Sequence, residues 1–397
     1  MLASYGRFFF FCVLVGALLL SCPFISQRAA AQDDTWREAY PAWYEAEPPH
    51  SEEATGTNTY WHDPNLPWRN KGACYAFAPA EAGCPPLWMV QAEGLFLFRD
   101  PADSRPMAAL GPSGPTVLGT NDFDSEFEGG IRATIGRALG DWYRLEATFM
   151  GGYSWNDTVA IRNLDPNGSG GNGNLFSPFT DFGNPAGVNG LDFNDFVSIR
   201  FGSQLSSVEL NVRRRLLSRP GRWESSFLVG IRYVNLQESF GYRTTSTTPG
   251  PGTAGVDYTT QTDNEMVGAQ LGFTTQFLVR PRLWIDFDMK GAILANGASM
   301  SYTLTQVDAL GATSNFAGSD NRDRTTFLGE LSLDMHYQFA PRWTFLVGYN
   351  AYWLTGVALA EDNFNTDINL LQLGPAQVAH KGEIVYHGPH IGLTWTY

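Results

Sequence analysis

Apolar and polar residues alternate along nearly all of the chain after its first quarter. In the clearest run, 123–135, Phe127 and Ile131 share one parity while Glu128 and Arg132 hold the other. Because successive side chains of a β-strand point to opposite faces, this period predicts half-buried strands. We expect ten of them, at about 88–99, 123–135, 143–153, 196–214, 223–239, 259–278, 283–304, 323–339, 343–355 and 383–397.

The connections between these runs alternate in length. Four are tight, at 138–141, 216–221, 279–282 and 340–342, and the intervening five are long, at 100–122, 156–195, 240–258, 305–322 and 356–382. Outer-membrane barrels sort short periplasmic turns from long external loops in this way. We therefore predict an all-β fold, a single transmembrane antiparallel up-and-down β-barrel of about ten strands (8–12), with both barrel ends of the chain in the periplasm.

Period two alone does not say which face of the strands is inside. A soluble lipocalin-like barrel buries its apolar face, whereas a membrane barrel turns that face to lipid. Aromatic residues near strand ends, the sorting of the loops and the terminal Tyr397 favour lipid. Aromatics make up 14% and charged residues 17% of the chain, and the mean hydropathy is −0.20. Apolar residues are thus interspersed with polar ones, as alternating strands require.

The last strand carries the expected assembly signal of a membrane barrel. His390, Gly392, Trp395 and Tyr397 have a spacing similar to the C-terminal signal of bacterial outer-membrane barrels. The partners expected on this ground are outer-membrane lipid and the barrel-assembly machinery. A closed barrel pairs its last strand with its first, so that no edge is left in lipid. We predict that Leu393 and Trp395 face lipid and that His390 and Gly392 face inward.

The N-terminal part of the chain predicts export. Residues 1–31 match a secretory signal, with Arg7, an apolar run over 8–20 and a small-residue cleavage site ending at Ala31. The alternative is a lipidated Cys22, since Leu-Leu-Ser-Cys loosely resembles a lipobox.

Residues 32–86 should form an acidic, Pro-rich periplasmic segment ahead of a barrel at 87–397. Its two cysteines, Cys74 and Cys84, are expected to form a disulfide after export. The formal net charge of −14 argues against nucleic acid as a partner.

Four segments together resemble the BBP7 (beta-barrel porin-7) family of outer-membrane barrels found in planctomycete bacteria. They are 88–96, 205–215, 223–233 and 388–395, so the resemblance covers about 88–397. It implies a porin-like outer-membrane barrel and supplies no substrate and no catalytic residues.

Charges of both signs occupy the polar faces of the strands. An Arg or Lys at the bilayer midplane costs about 2–4 kcal/mol, so these charges are predicted to face the lumen. The candidates are Glu126, Glu128, Arg132, Arg144, Glu146, Glu209, Arg213, Arg232, Asp286, Asp288, Lys290, Glu330 and Asp334. A lining that selects permeants is one interpretation. Small barrels tend to be filled by side chains, and we therefore favour a narrow or plugged lumen.

The sequence gives only weak support for a hydrolase site. Asp286, Asp288, Glu330, Asp334 and His336 contain the carboxylates and histidine of a general-base hydrolase, but each is also simply the polar member of an alternating strand.

The sequence also gives little support for a metal site. His387 and His390 have opposite parity, so with His380 they do not predict a shared ion. The run Asp165–Phe176 begins like a calcium loop but ends on Phe176 where a bidentate Glu is needed. We expect no cofactor and no enzymatic activity.

The predicted function is a porin-like outer-membrane barrel, either a narrow or plugged diffusion channel or a structural envelope barrel. A surface adhesin acting through its external loops and an outer-membrane hydrolase are the alternatives.

Overall fold

The alternating runs form ten long strands that close into a ring, with three short strands outside it. In chain order the strands are β1 (Trp88–Arg99), β2 (Pro106–Leu110), β3 (Thr116–Gly119), β4 (Phe127–Leu139), β5 (Tyr143–Arg162), β6 (Leu175–Phe176), β7 (Phe196–Arg215), β8 (Trp223–Ser246), β9 (Ala254–Arg280), β10 (Leu283–Val307), β11 (Thr313–Ala340), β12 (Trp343–Val357) and β13 (Gly382–Thr396). A single short α-helix in the part of the chain described below, α1, spans Ile368–Leu373.

The computed structural model describes residues 86–397 except 101–103, 125, 141, 164–172, 185–189, 217–222 and 247–253. The predicted signal, Cys22, the acidic segment before residue 86, the Cys74 and Cys84 pair and most of the calcium-like loop lie outside these residues. No helix within the described ranges is long and apolar enough to cross a bilayer.

The ring is antiparallel throughout. Its order is β1-β13-β12-β11-β10-β9-β8-β7-β5-β4, and β4 pairs with β1 to close it. The last strand pairs with the first, with Met89 opposite Thr396, so the predicted ten-stranded barrel and its closure are confirmed. We call the end with the tight connections the turn end and the opposite end the loop end.

Two predicted long loops are wrong. The segments 240–258 and 305–322 are mostly strand, because β8 runs to Ser246 before β9 begins at Ala254, and β10 runs to Val307 before β11 begins at Thr313. These four strands have 24, 27, 25 and 28 residues. About 10 residues suffice for a tilted strand to cross hydrocarbon, so more than half of each strand is available outside it.

In these long strands, the apolar side chains face outward in the turn-end half and inward in the loop-end half. Toward the turn end of β8, Phe227 and Ile231 are exposed on the outer surface and Arg232 is buried inside. Beyond Tyr233 the apolar residues change parity, and Leu236 and Phe240 are buried inside. The pairing of β8 with β9 is continuous through this point, so the reversal reflects the surroundings and not a shift of register. An apolar exterior suits hydrocarbon, and a polar exterior suits water.

An apolar core fills the loop-end half and extends into a cap. The cap is built from the connections after β1, β5 and β12, and it includes the three-stranded sheet β3-β2-β6. Phe364 from the last connection packs against Phe179, Phe240, Tyr242 and Tyr258, with ring centroids 5.0–5.7 Å away. Side chains of the wall and of the loops thus share one core.

Candidate functional site

The middle of the lumen is occupied by buried and partly buried charges from six strands. We call this group the central network; its members are Glu93, Arg132, Glu209, Arg232, Lys290 and Glu330. Arg232 lies 2.6 Å from Glu330 and 3.4 Å from Glu209, both measured from Nη1 to the nearest carboxylate oxygen. The Lys290 Nζ lies 3.1 Å from Glu330 and 3.3 Å from Glu209. Two bases are therefore shared between the same two acids.

Arg132 carries the network across the lumen. Its Nη2 pairs with Glu93 at 2.5 Å, on the neighbouring strand β1. Its Nη1 donates to Asn350 Oδ1 at 3.2 Å and to the Tyr352 hydroxyl at 3.1 Å, both on β12. The same nitrogen lies 3.8 Å from Glu330 on β11. Because β1, β13 and β12 separate β4 from β11 in the ring, these contacts join non-neighbouring walls of the barrel.

The network balances its charge. Three acids meet three bases, and Arg232 is only 2% exposed. An isolated charge at such depth would be very costly, whereas a paired and hydrogen-bonded one is tolerated. Asn211 and Gln270 add neutral support, since the Gln270 amide donates to Glu209 at 2.9 Å and the Asn211 amide donates to the same oxygen at 3.1 Å.

A second polar cluster lies between the central network and the turn end. Glu146 accepts from Arg213 Nε at 2.8 Å and lies 3.1 Å from Arg144 Nε. Asp286 lies 3.3 Å from His336, whose ring stacks on Trp284 at 5.2 Å between centroids. These groups line a cavity of about 200 Å³ that reaches the turn end. The lumen is thus a vestibule on this side, and the central network forms its inner end.

The final strand places a buried side chain beside the central network, in addition to forming part of the wall. His390 is buried and lies 2.8 Å from Asp334, while its Nδ1 is 2.5 Å from the Asn350 amide nitrogen. Gly392 also has the inward parity, and Leu393 is exposed on the outer surface. Trp395 stacks on Tyr397, with 5.7 Å between the two ring centroids. The inward and outward faces are as expected; the role of these residues in assembly stays a prediction.

Two of the predicted lumen charges do not join the central network, and the predicted hydrolase residues do not form one contact group. Glu126 and Glu128 lie at the loop end, apart from the central network. The hydrolase candidates all line the turn-end cavity, and Asp286 lies directly opposite Asp334 in the ladder between β10 and β11. Their contacts nevertheless form separate pairs, because Glu330 contacts Arg232, Asp286 contacts His336, and Asp334 contacts His390.

The histidines do not converge on an ion. His387 Nδ1 lies 2.6 Å from the Tyr349 hydroxyl, and His380 Nδ1 lies 3.0 Å from the Val378 carbonyl oxygen. The described residues contain no group of three or more metal-ligating side chains able to hold an ion.

Sequence reasoning missed the residues at which the cap joins the barrel. Glu238 accepts from Arg99 at 2.8 Å and from the backbone N–H of Ala360 at 3.1 Å. Asn264 donates to the Ala358 carbonyl at 2.8 Å and accepts from its N–H at 2.7 Å. The sequence signal was present, because Glu238 and Asn264 share the inward parity of their strands, as does Glu93 in β1.

The cap carries one carboxyl group with an unusual acidity. Burial raises the pKa of Glu361 to about 7, and the nearby carboxylates of Glu238 and Asp362 add to the effect against the opposing charge of Arg99. Glu361 belongs to the connection after β12, outside the barrel wall. A group with this pKa changes its charge close to neutral pH.

The chain matches the family described as Putative beta barrel porin-7 (BBP7) over residues 99–397. Among solved structures, it is similar to the outer membrane protease OmpT from Escherichia coli, with 11% identity over 78% of this chain and 96% of that chain and a TM-score of 0.38. A major outer membrane protein from Thermus thermophilus has 12% identity over 78% and 99%, with a TM-score of 0.30. A Pseudomonas aeruginosa FadL homologue has 12% over 81% and 93%, with a TM-score of 0.27.

These structural likenesses are too distant to carry an argument about function. No curated protein matches the chain in sequence. The family match covers well over half of the chain and agrees with the closed ring and its apolar outer band. The chain therefore belongs to the BBP7 family and is a porin-like outer-membrane β-barrel.

Proposed function

We propose that this protein is a plugged porin-like barrel, whose lumen is blocked by its own side chains in the state described. The observation that carries the proposal is the crossing of the lumen by Arg132, which contacts Asn350 and Tyr352 on a non-neighbouring strand. Small barrels have little interior space, and paired charges from facing walls occupy it here. Solute that enters the turn-end vestibule therefore meets the central network.

The cap adds a second obstruction in series. The connection after β12 is hydrogen-bonded to the inner wall through Asn264 and Glu238, and its Phe364 is buried in the loop-end core. A wide water-filled path past this core would expose apolar side chains to water, which is unfavourable. Network and cap together favour a low basal permeability.

Planar-bilayer recording tests this proposal. We expect the wild-type barrel to give no single-channel steps after reconstitution from an uncharged detergent. The double variant Arg232→Ser/Glu330→Ser removes one acid and one base, so the network keeps its charge balance. Two of the side chains that fill the lumen become much smaller. This variant should raise the ion leak at least several-fold.

A matched double variant controls for general loosening of the protein. Arg200→Ser/Asp257→Ser removes an exposed ion pair of 3.8 Å between outward-facing positions of β7 and β9, and it should leave the leak at the wild-type level. Regular large steps from the wild type would overturn the plugged barrel. An unchanged leak in Arg232→Ser/Glu330→Ser would show that the network is not the barrier.

The same proposal places the turn end in the periplasm and the loop end outside the cell. Barrels of the outer membrane have short periplasmic turns, and the turn end carries the tight connections around Arg282 and Pro341. A membrane-impermeant maleimide applied to intact cells should label Leu310→Cys, at an exposed loop-end turn. It should not label Pro341→Cys until the cells are lysed, with wild-type labelling as the background. The reverse pattern would invert the topology.

A further inference from the structure

The barrel wall has a seam between β4 and β5 near the loop end. The pairing of these strands ends where Ile131 lies opposite Gly151, although β5 continues to Arg162. The register of β5 against β7 shifts at the same point, and Gly152 adopts a φ of 93°. This backbone conformation favours glycine, and such irregularities bend a strand. The part of β5 beyond Gly151 therefore has no backbone pairing with β4.

A cavity of about 170 Å³ lies at this seam, separate from the turn-end vestibule. Among the described residues that line it are five carboxylates, including Glu126, Glu128 and Glu361, and one base, Arg99. The charge of Arg99 is already engaged, since its Nη2 lies 2.8 Å from Glu238. The cavity thus has an excess of negative charge that the surrounding protein does not balance.

One of these carboxylates is buried without a hydrogen-bonding partner. Glu361 is 3% exposed, and none of the side-chain hydrogen bonds and ion pairs among the described residues involves its carboxylate. Buried carboxylates are normally hydrogen-bonded or paired, because desolvation of the charge is expensive. An unpaired acid lining a cavity indicates that a donor or cation belongs beside it.

Three aromatic rings also line the cavity, together with Thr120 and Asn156. Phe123, Trp155 and Phe201 line it, and Trp155 is 6% exposed with no hydrogen-bond partner for its Nε1 in the described residues. Phe201 already holds a cation on its face, with the Arg99 Cζ 4.4 Å from the ring centroid. Aromatic faces attract cations, and a ring of this kind beside carboxylates is typical of ammonium recognition.

We propose that the seam cavity binds a compact organic cation, an alkylammonium group held between its aromatic wall and its carboxylates. The size agrees, since a protein cavity of about 150 Å³ accommodates benzene. A bare metal ion fits less well, because no three ligating side chains of the described residues converge there. The proposal is independent of whether the lumen is plugged.

Calorimetric titration with tetramethylammonium tests the site on the full-length protein in an uncharged detergent. We expect saturable binding, and tert-butanol, an uncharged molecule of similar shape, should not compete. At about pH 8.5, where the Glu361 carboxyl is mostly ionised, Glu361→Gln removes the charge with little change of shape and should raise the Kd about tenfold, equivalent to about 1.4 kcal/mol. Glu265→Gln, an exposed site on the outer face of β9, is the matched control and should bind as the wild type does.

The ammonium group could belong to a free solute or to a lipid headgroup, and two membranes distinguish these sources. Equal affinity in phosphatidylcholine nanodiscs and in nanodiscs of an uncharged galactolipid without an ammonium group would identify a free solute. Weaker binding in phosphatidylcholine alone would identify a competing headgroup. Absence of saturable binding in both, or equal affinity of Glu361→Gln and the wild type, would overturn the proposal.

Discussion

Arg232→Met should destabilise the barrel by about 3–5 kcal/mol, the cost of removing one partner from a buried ion pair. Arg232 is 2% exposed and lies between Glu209 and Glu330. Without Arg232, the buried acids Glu209 and Glu330 share Lys290 as their nearest base. The five remaining charges of the central network then have an excess of one negative charge. Urea unfolding in detergent micelles, followed by tryptophan fluorescence, measures the loss.

Two comparisons distinguish this effect from the loss of any arginine. Arg322→Met breaks an exposed pair with Asp320, and surface pairs contribute about 0–1 kcal/mol. The double variant Arg232→Met/Glu330→Gln restores the charge balance and should recover part of the lost stability. Equal losses for Arg232→Met and Arg322→Met would show that the network does not contribute to stability as described.

Leu271→Arg should destabilise the membrane-inserted barrel by about 2–4 kcal/mol, the cost of a cation on the lipid face near the midplane. Leu271 is 55% exposed on the outer face of β9, in the apolar half of the strand. The expected result is a lower urea midpoint after insertion into lipid vesicles, together with a lower yield of the heat-modifiable folded form on gels.

The same strand supplies the control for this substitution. Gln261 has the same parity as Leu271 and is also exposed, but it lies in the half of β9 whose outer face is polar. Gln261→Arg should therefore change stability by less than about 0.5 kcal/mol, as for an ordinary surface substitution. Comparable losses at both positions would mean that the band of lipid contact extends to Gln261 and that the reversal of faces does not mark its edge.

The apolar side chains of the long strands change from the outer face to the inner face along the barrel, and this change connects the fold with the proposed function. In its turn-end half, a charged interior requires partners for every charge, and the resulting ion pairs cross the lumen. In its loop-end half, an apolar interior requires cover from water, which the cap provides. The side chains that fill the two halves of the lumen therefore lie there for different physical reasons.

The strand count, the closure of the barrel and the inward position of His390 could all be predicted from the sequence. Each depends on period two, which is a local property: the face of a residue follows from its parity within one strand. The same local rule could have located the reversal. In β8 the apolar positions move from odd numbers, such as Phe227 and Ile231, to even numbers, such as Leu236 and Phe240.

Only the tertiary structure decided which charges meet. Parity places Arg132 and Glu330 in the lumen, but whether they lie at one height depends on the stagger of ten strands around the ring. It likewise decided that Glu126 and Glu128 lie away from the central network and that Glu361 reaches the seam from a distant connection. Such contacts join residues far apart in the chain, and no local pattern records them. The sequence alone determined a barrel and its faces; packing across the lumen determined which side chains meet inside it.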